Sequence, residues 1–211
     1  LRARIAAEGQ DNLAAADSLY LASISLLREV LPNSPLIPSS LNNTAVNQVM
    51  MQDYDRAEAT YAEALEVQGR MFGTDHPEYA LTLENLGGIA YRKGDYEACL
   101  ANLERVHDLR AAKMGEDHPI VMRTMLNMAT VAMGMGNPER AIEIYTEILP
   151  LLVAIHGENH LDTATTLRNS GIALRKAGRL AEAEAAIDRA RPIYIQLFGN
   201  RHHRVARLEG D

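Results

Sequence analysis

The sequence predicts an all-α protein built as a solenoid of antiparallel helix pairs, and three observations lead to this prediction. The same residue types recur 42 positions apart, apolar residues inside each repeat follow a helical spacing, and aromatic residues make up only 5% of the chain. A β-sandwich would favour aromatic and β-branched residues. A period of this length is typical of helical repeat proteins.

Four rows of residues carry the repeat, and all of them keep one register without insertions. Two are glycine rows, one is an asparagine row and one is a histidine row. Their members are Gly94, Gly136 and Gly178; Gly73, Gly115, Gly157 and Gly199; Asn43, Asn85, Asn127 and Asn169; and His76, His118, His160 and His202. Four rows in one register indicate a structural repeat rather than chance.

Each repeat is expected to contain two helices, which we term helix A and helix B. In the repeat that starts at residue 77 we predict helix A at 77–93, a glycine turn, and helix B at 96–114. Apolar residues three and four positions apart form the buried stripe of each helix. The segment 115–119 ends one helix and opens the next, since Gly suits a helix C-terminus, Asp or His can cap, and Pro fits a first turn.

Small residues at two fixed positions distinguish this solenoid from HEAT and armadillo arrays, whose units are also ~40–47 residues long. Small side chains let helices A and B approach to about 8 Å, and a bulkier helix B residue packs beside them. The helix A set is Ala45, Gly87, Ala129 and Gly171; the helix B set is Ala15, Ala57, Cys99, Ala141 and Ala183; the bulkier set is Leu19, Tyr61, Leu103, Tyr145 and Ile187.

These motifs together resemble the tetratricopeptide repeat, most of all the 42-residue variety found in kinesin light chains and bacterial regulatory proteins. The resemblance covers essentially the whole chain. It implies a right-handed superhelix whose inner wall consists of A helices. The motifs that carry it are Leu83-x-Asn85-Leu86-Gly87, Gly94-Asp95-Tyr96-Glu97 and Gly115-x-Asp117-His118-Pro119.

The register predicts a single solenoid over 1–211, with incomplete repeats at both ends. Gln10 and Gln52 replace the turn glycine, which fits the atypical terminal repeats of such arrays. Because the helical pattern is already under way at Leu1, we expect the chain to be part of a longer protein. The predicted boundaries are a truncated repeat at 1–34, full repeats at 35–76, 77–118, 119–160 and 161–202, and the start of another helix at 203–211.

The resemblance implies that the asparagine row (Asn43, Asn85, Asn127 and Asn169) faces the inner groove. A primary amide can pair with both the C=O and the N–H of an extended backbone, so the row is expected to hold a peptide without reading its sequence. In the alternative, these amides bond to the neighbouring helix and only support the stack.

Specificity would then come from other side chains on the same wall. Positions beside the row grade from apolar (Val46, Val49, Met50) to basic, and Arg side chains match carboxylates. We therefore predict a bound segment with an apolar end and an acidic end; the alternative is a solvated face with scattered charges. Beyond the asparagines, the predicted peptide-binding residues are Tyr91, Arg92, Arg123, Arg168, Arg175 and Lys176, and Asn42, Glu84 and Leu126 share the position of Arg168.

Charge and composition argue against several other functions. A net charge of −7 and a pI near 5.5 disfavour nucleic-acid binding, which usually requires a basic surface. No apolar run approaches the ~20 residues of a membrane span. We expect a cytoplasmic protein without a cofactor, a metal or catalytic residues. One competing interpretation is a structural module, which either self-associates through the truncated ends, where apolar stripes are exposed, or positions neighbouring domains of a larger regulatory protein. The other is an enzyme domain, for which the sequence offers no candidate site.

The histidine row is interpreted as capping or loop packing, because equivalent atoms in stacked repeats lie ~10 Å apart and zinc ligands must lie within ~2.1 Å of one ion. His156 and His160 are four positions apart, but Gly157 interrupts the helix between them, so no helix aligns them. Cys99 is interpreted as a buried core thiol. Pro150 and Pro192 fall within B helices and predict a bend or break there.

Overall fold

A computed structural model of the chain describes the backbone of residues 2–200 and the side chains of residues 12–200. This part of the chain contains nine α-helices and no strand. The helices are α1 (Arg2–Val30), α2 (Leu36–Met50), α3 (Tyr54–Phe72), α4 (Pro77–Lys93), α5 (Tyr96–Met114), α6 (Pro119–Gly134), α7 (Pro138–His156), α8 (Leu161–Lys176) and α9 (Leu180–Phe198). The predicted helix start within 203–211 and the histidine at 202 lie outside the described residues.

The predicted helix boundaries and caps are confirmed. Helices α4 and α5 cover 77–93 and 96–114, as expected from the glycine and proline positions. His76, His118 and His160 each act as an N-cap, because the ring Nδ1 accepts a hydrogen bond from the backbone N–H two residues later. Gly94 ends α4 in the left-handed conformation with φ 81°, which glycine adopts at no steric cost.

The chain forms two compact units, Leu1–Lys113 and Met114–Asp211. In the first, α1 to α4 pack in chain order, and α5 joins them through a core of Tyr79, Leu83 and Val106. A second core, where α2, α3 and α4 meet, contains Ala45, Tyr61 and Ile89. The small-against-bulky pairing predicted from the repeat is therefore present, with Ala45 and Tyr61 both at most 2% exposed.

The first helix differs from the predicted truncated repeat. A turn was expected near Gln10, but α1 runs without interruption from Arg2 to Val30. The lack of a glycine does not by itself explain this difference, because Gln52 forms the equivalent turn with a positive φ of 62°.

In the second unit, α6 to α9 also pack in chain order. One core, where α8 meets α9, contains Ala164, Leu167, Ile187 and Ala190. Gly171 lies beside Ile187 so closely that a Cβ atom at Gly171 would stand 2.8 Å from the Ile187 side chain. The all-α solenoid of helix pairs predicted from the sequence is confirmed.

The helices are not broken at the two prolines, and the bend expected as the alternative stays a prediction. Helix α7 continues through Pro150 and α9 continues through Pro192. A mid-helix proline costs about 3 kcal/mol. Buried side chains on both sides, such as Ile148 and Leu152 around Pro150, provide packing that offsets this cost.

None of the helices described here is both long and apolar enough to cross a membrane.

Candidate functional site

The asparagine row lies on the A helices α2, α4, α6 and α8. Asn43 and Asn127 are exposed, and Asn85 and Asn169 are half-buried. None of the four side chains makes a hydrogen bond to any described residue. The alternative in which these amides bond to a neighbouring helix therefore has no hydrogen bond to support it.

Three buried threonines, each three residues before an asparagine of the row, were missed by the sequence analysis. They are Thr82, Thr124 and Thr166, and each is at most 2% exposed. The hydroxyls of Thr82 and Thr124 each donate to the carbonyl four residues earlier, both at 2.9 Å. The three threonines recur 42 residues apart, which was the available signal. They help to fix one face of α4, α6 and α8 in the core.

Most of the predicted basic residues have no acidic partner. Arg92, Arg123, Arg175 and Lys176 are exposed, and none forms an ion pair with a described residue. Arg168 differs, because it is half-buried and engaged in an interaction of its own. Four of the six predicted charged or aromatic residues therefore present free cationic groups.

Several other cations of the described residues are paired. At the end of α4, Lys93 Nζ lies 2.8 Å from an Asp55 carboxylate oxygen and 2.7 Å from one of Glu58, and these hydrogen bonds raise the pKa of Lys93. Just before α9, Arg179 pairs with Glu182 at 2.6 Å. The exposed cations of α6 and α8 differ from these, because they have no such partner among the described residues.

Charge in the C-terminal unit is divided between the two kinds of helix. The A helices α6 and α8 carry four cationic residues and the single carboxylate of Asp162. The B helices α7 and α9 carry six carboxylates and three arginines. The net negative charge of the chain therefore coexists with a basic A-helix surface in this unit.

The residue just before each asparagine of the row is not available to contact a ligand in every repeat. Glu84 was grouped with the wall residues, but its carboxylate lies 2.6 Å from the Arg110 guanidinium on helix α5. The side chain of Arg110 is only 7% exposed and that of Glu84 18%. Glu84 is therefore used in an internal ion pair and is not a free wall residue.

The apolar residues predicted for the wall are partly accessible. Val46, Met50 and Tyr91 are exposed, and Val49 is half-buried in the core beside Tyr61. The ring of Tyr91 packs edge-on against Tyr96, with 5.3 Å between centroids.

Cys99 is buried as predicted, at 3% exposure. Desolvation raises the pKa of its thiol, against a smaller lowering by a hydrogen bond to the Tyr91 backbone. A thiol with a raised pKa is a weak nucleophile at neutral pH.

The two histidines on either side of Gly157 lie together, although no helix aligns them. The His156 and His160 rings are stacked with 4.4 Å between centroids. Gly157, with φ 85°, reverses the chain direction after α7 and brings His160 back over the helix end. A cavity of about 450 Å³ opens beside them in the C-terminal unit, lined mainly by apolar residues of α6 and α7 together with Arg123.

Comparisons with known proteins agree with this architecture. The sequence profile of the tetratricopeptide repeat family matches residues 48–111, 78–152 and 120–196. A search of the curated proteins finds no significant match.

Several solved structures resemble the chain. BtubC (BKLC) of P. vanneervenii is 20% identical over 93% of this chain and 78% of its own, with a TM-score of 0.76. A kinesin-light-chain candidate from Podosopora anserina with nearly identical TPR-like repeats is 16% identical over 92% of this chain and 94% of its own, with a TM-score of 0.78. MamA is 16% identical over 89% and 85%, with a TM-score of 0.59. At these identities the likeness shows the fold alone. The family profile covers more than half of the sequence, and the chain therefore belongs to the tetratricopeptide repeat family.

Proposed function

We propose that this chain is a non-enzymatic docking module that binds an extended acidic peptide along the A helices of its C-terminal unit. Membership of the tetratricopeptide repeat family supports a protein-interaction scaffold in general. The observation that carries the finer proposal is the set of free polar groups on α6 and α8. Within the described part of the chain, the side chains of Asn127 and Asn169 make no hydrogen bond, and Arg123, Arg175 and Lys176 have no carboxylate partner.

The asparagine amides and the cationic side chains both contribute to such binding. Amides pair with the backbone of an extended segment regardless of its sequence. Guanidinium and ammonium groups add charge-assisted hydrogen bonds to carboxylates, which select acidic segments. The expected apolar end of the ligand and the cytoplasmic location remain predictions.

Removing two cations from α8 should weaken the binding of an acidic peptide by about 10-fold, since each lost contact at an exposed site is worth about 0.7 kcal/mol and about 1.4 kcal/mol is a tenfold change in affinity. The experiment compares the wild type with Arg175→Ala/Lys176→Ala, using fluorescence anisotropy of a labelled peptide of alternating Glu and Ser. Wild-type affinity should fall as salt is raised, because exposed charges are screened.

The matched control is Arg140→Ala, which removes a cation from helix α7 that is paired with Glu143 at 3.0 Å. It should leave the affinity unchanged. A labelled peptide of alternating Lys and Ser should bind far more weakly than the acidic one. Equal affinity for the two peptides, or an unaffected double variant, contradicts the proposal.

A second candidate function, self-association, is favoured by the surface of α1. Leu19 and Leu26 are 72% and 60% exposed. Residues at the equivalent positions of the four later B helices are at most 6% exposed. The residues equivalent to Leu19 are Tyr61, Leu103, Tyr145 and Ile187, and those equivalent to Leu26 are Gln68, Arg110, Leu152 and Tyr194. The face that other B helices bury is uncovered on α1, and a helix of a second copy would bury it.

If this face joins two copies, the wild type should show the mass of a dimer by light scattering, and Leu19→Glu/Leu26→Glu should be a monomer, because a buried unpaired carboxylate is strongly unfavourable. Leu81→Glu changes a leucine on α4 that is 49% exposed and serves as the control. A wild type that is monomeric at every concentration rules out this candidate.

A further inference from the structure

We propose that His156, His160 and Asp162 form a binding site for one zinc ion at the junction of helices α7 and α8. One ring nitrogen of each histidine and a carboxylate oxygen of Asp162 all lie within 4.8 Å of one another. Among the described residues this is the one group of three His, Cys, Asp or Glu side chains close enough to share an ion. The site shares a cavity with Arg123, but none of the peptide-binding residues proposed above serves as a ligand to the ion.

Asp162 Oδ2 lies at the centre of the group. It is 3.5 Å from His160 Nδ1 and 4.0 Å from His156 Nε2. Zinc binds imidazole nitrogen and carboxylate oxygen at about 2.0–2.2 Å, so ligand atoms around a bound ion are about 3.5 Å apart. His156 and Asp162 are exposed, and His160 is half-buried. A metal ion lies in the plane of each imidazole that binds it, so the two rings must rotate out of their stack, in which the planes differ by 19°. The exposure of His156 and Asp162 leaves room for this rotation.

The backbone already holds the three residues in place. His156 is the last residue of α7, and His160 caps α8. The loop between them is closed by the Thr163 hydroxyl, which donates to the Gly157 carbonyl at 3.1 Å. A preformed arrangement lowers the ordering entropy that binding would otherwise require.

His160 offers its Nδ1 as a ligand atom. This nitrogen accepts a hydrogen bond from the Asp162 backbone N–H at 3.2 Å. A zinc ion would take the place of this single long hydrogen bond, whose net contribution is small. Imidazole and carboxylate ligands together suit zinc among the divalent ions.

The cluster occurs in only one repeat. The residues at the position of His156 elsewhere are Phe72, Met114 and Phe198, and Asp162 corresponds to Glu78 and Ile120. In the N-terminal unit, Phe72 stacks on His76 with 4.9 Å between ring centroids. Stacking of an aromatic ring on the capping histidine is thus a packing feature of the repeat, and a phenylalanine is sufficient for it. At residue 156 the same stack contains a second imidazole beside a carboxylate, which packing alone does not require.

Three protein ligands leave a fourth position on a tetrahedral zinc ion open. His156 and Asp162 also line the cavity of about 450 Å³ beside α6. The open position can therefore be filled by water or by a donor group of a molecule that enters this cavity.

The test is a titration of the full, untagged chain with zinc chloride by isothermal calorimetry, with cobalt(II) absorption as a second readout of coordination. The wild type is expected to bind one ion per chain at this site. His156→Phe should lower its affinity at least 10-fold, because even the loss of an outer-shell partner costs about 10–100-fold. The phenylalanine keeps the stack seen at Phe72 and His76, so the fold should be retained, and circular dichroism checks this. Asp162→Asn, which preserves the shape of the side chain, should also weaken binding.

The adjacent His202 and His203 are the competing zinc ligands in this sequence. The control His202→Gln/His203→Gln should leave the zinc affinity and the cobalt spectrum of the site unchanged. The proposal is overturned if folded His156→Phe binds zinc as tightly as the wild type, if only the 202/203 variant loses binding, or if the wild type binds no zinc.

Discussion

Replacing Glu84 by leucine is expected to lower the free energy of unfolding by about 3 kcal/mol. Its carboxylate lies 2.6 Å from the guanidinium of Arg110, whose side chain is only 7% exposed. The variant leaves a nearly buried positive charge without this counter-charge, and breaking a buried ion pair in this way costs about 3–5 kcal/mol. We expect the lower end, because Glu84 retains some contact with water. Urea unfolding followed by circular dichroism measures the difference.

The neighbouring repeat suggests the compensating change. The positions of Glu84 and Arg110 are occupied there by Leu126 and Leu152, and Leu152 is 3% exposed. The double variant Glu84→Leu/Arg110→Leu copies that apolar pair and should recover most or all of the lost stability, since apolar replacement of a buried ion pair is often neutral or stabilising. A double variant less stable than Glu84→Leu alone would show that the ion pair is not the cause.

The ion pair of Glu84 and Arg110 also shows why part of the candidate site could not be predicted from the sequence. The register placed Glu84 on helix A, beside the asparagine row, and that placement is correct. Whether a residue at this position faces a ligand or a helix B partner depends on the residue 26 positions later in the same repeat. That residue is Arg110 in one repeat and Leu152 in the next. A single helical position therefore has different roles in successive repeats.

The regular part of the fold could be predicted because its signals are local. Glycine turns, histidine caps and apolar stripes fix each helix within its own repeat, and Pro77–Lys93 is observed as expected. The structure differs from the predicted fold where a local sequence signal does not by itself determine whether the helix ends. At Pro150 the helix-breaking signal is outweighed by the packing of buried neighbours. Gln10 and Gln52 both replace the turn glycine, yet α1 continues past Gln10 while Gln52 forms a turn.

The His–His–Asp cluster could not be predicted for a related reason. Helical spacing says nothing about residues separated by a loop, and Gly157 was interpreted as an interruption. In the structure the same glycine, with φ 85°, is what returns the chain over the end of α7. Asp162 belongs to no repeated row, so no periodic signal connected it with His156.

Two buried glutamines of the N-terminal unit should respond in opposite directions to the same substitution. Gln68 is 0% exposed, and neither its Nε2 nor its Oε1 has a hydrogen-bonding partner among the described residues. Gln68→Leu should raise the free energy of unfolding by about 2 kcal/mol, because it removes a buried polar group that no hydrogen bond compensates. The repeat supports the choice of residue, since Leu152 occupies this position in α7.

Gln48, 1% exposed, is the matched control because both the nitrogen and the oxygen of its amide are hydrogen-bonded. Its Nε2 donates to Asp17 at 3.1 Å and its Oε1 accepts from the Thr60 hydroxyl at 2.8 Å. Gln48→Leu should lower the free energy of unfolding by about 2 kcal/mol, since it deprives the buried Asp17 carboxylate of a donor. Urea unfolding measures the change in the free energy of unfolding for the two variants. Both replace a buried glutamine by leucine, and the two sites differ in the hydrogen bonding of the glutamine amide. If both variants change the free energy of unfolding in the same direction, the effect of the substitution depends on side-chain volume and not on whether the amide is hydrogen-bonded.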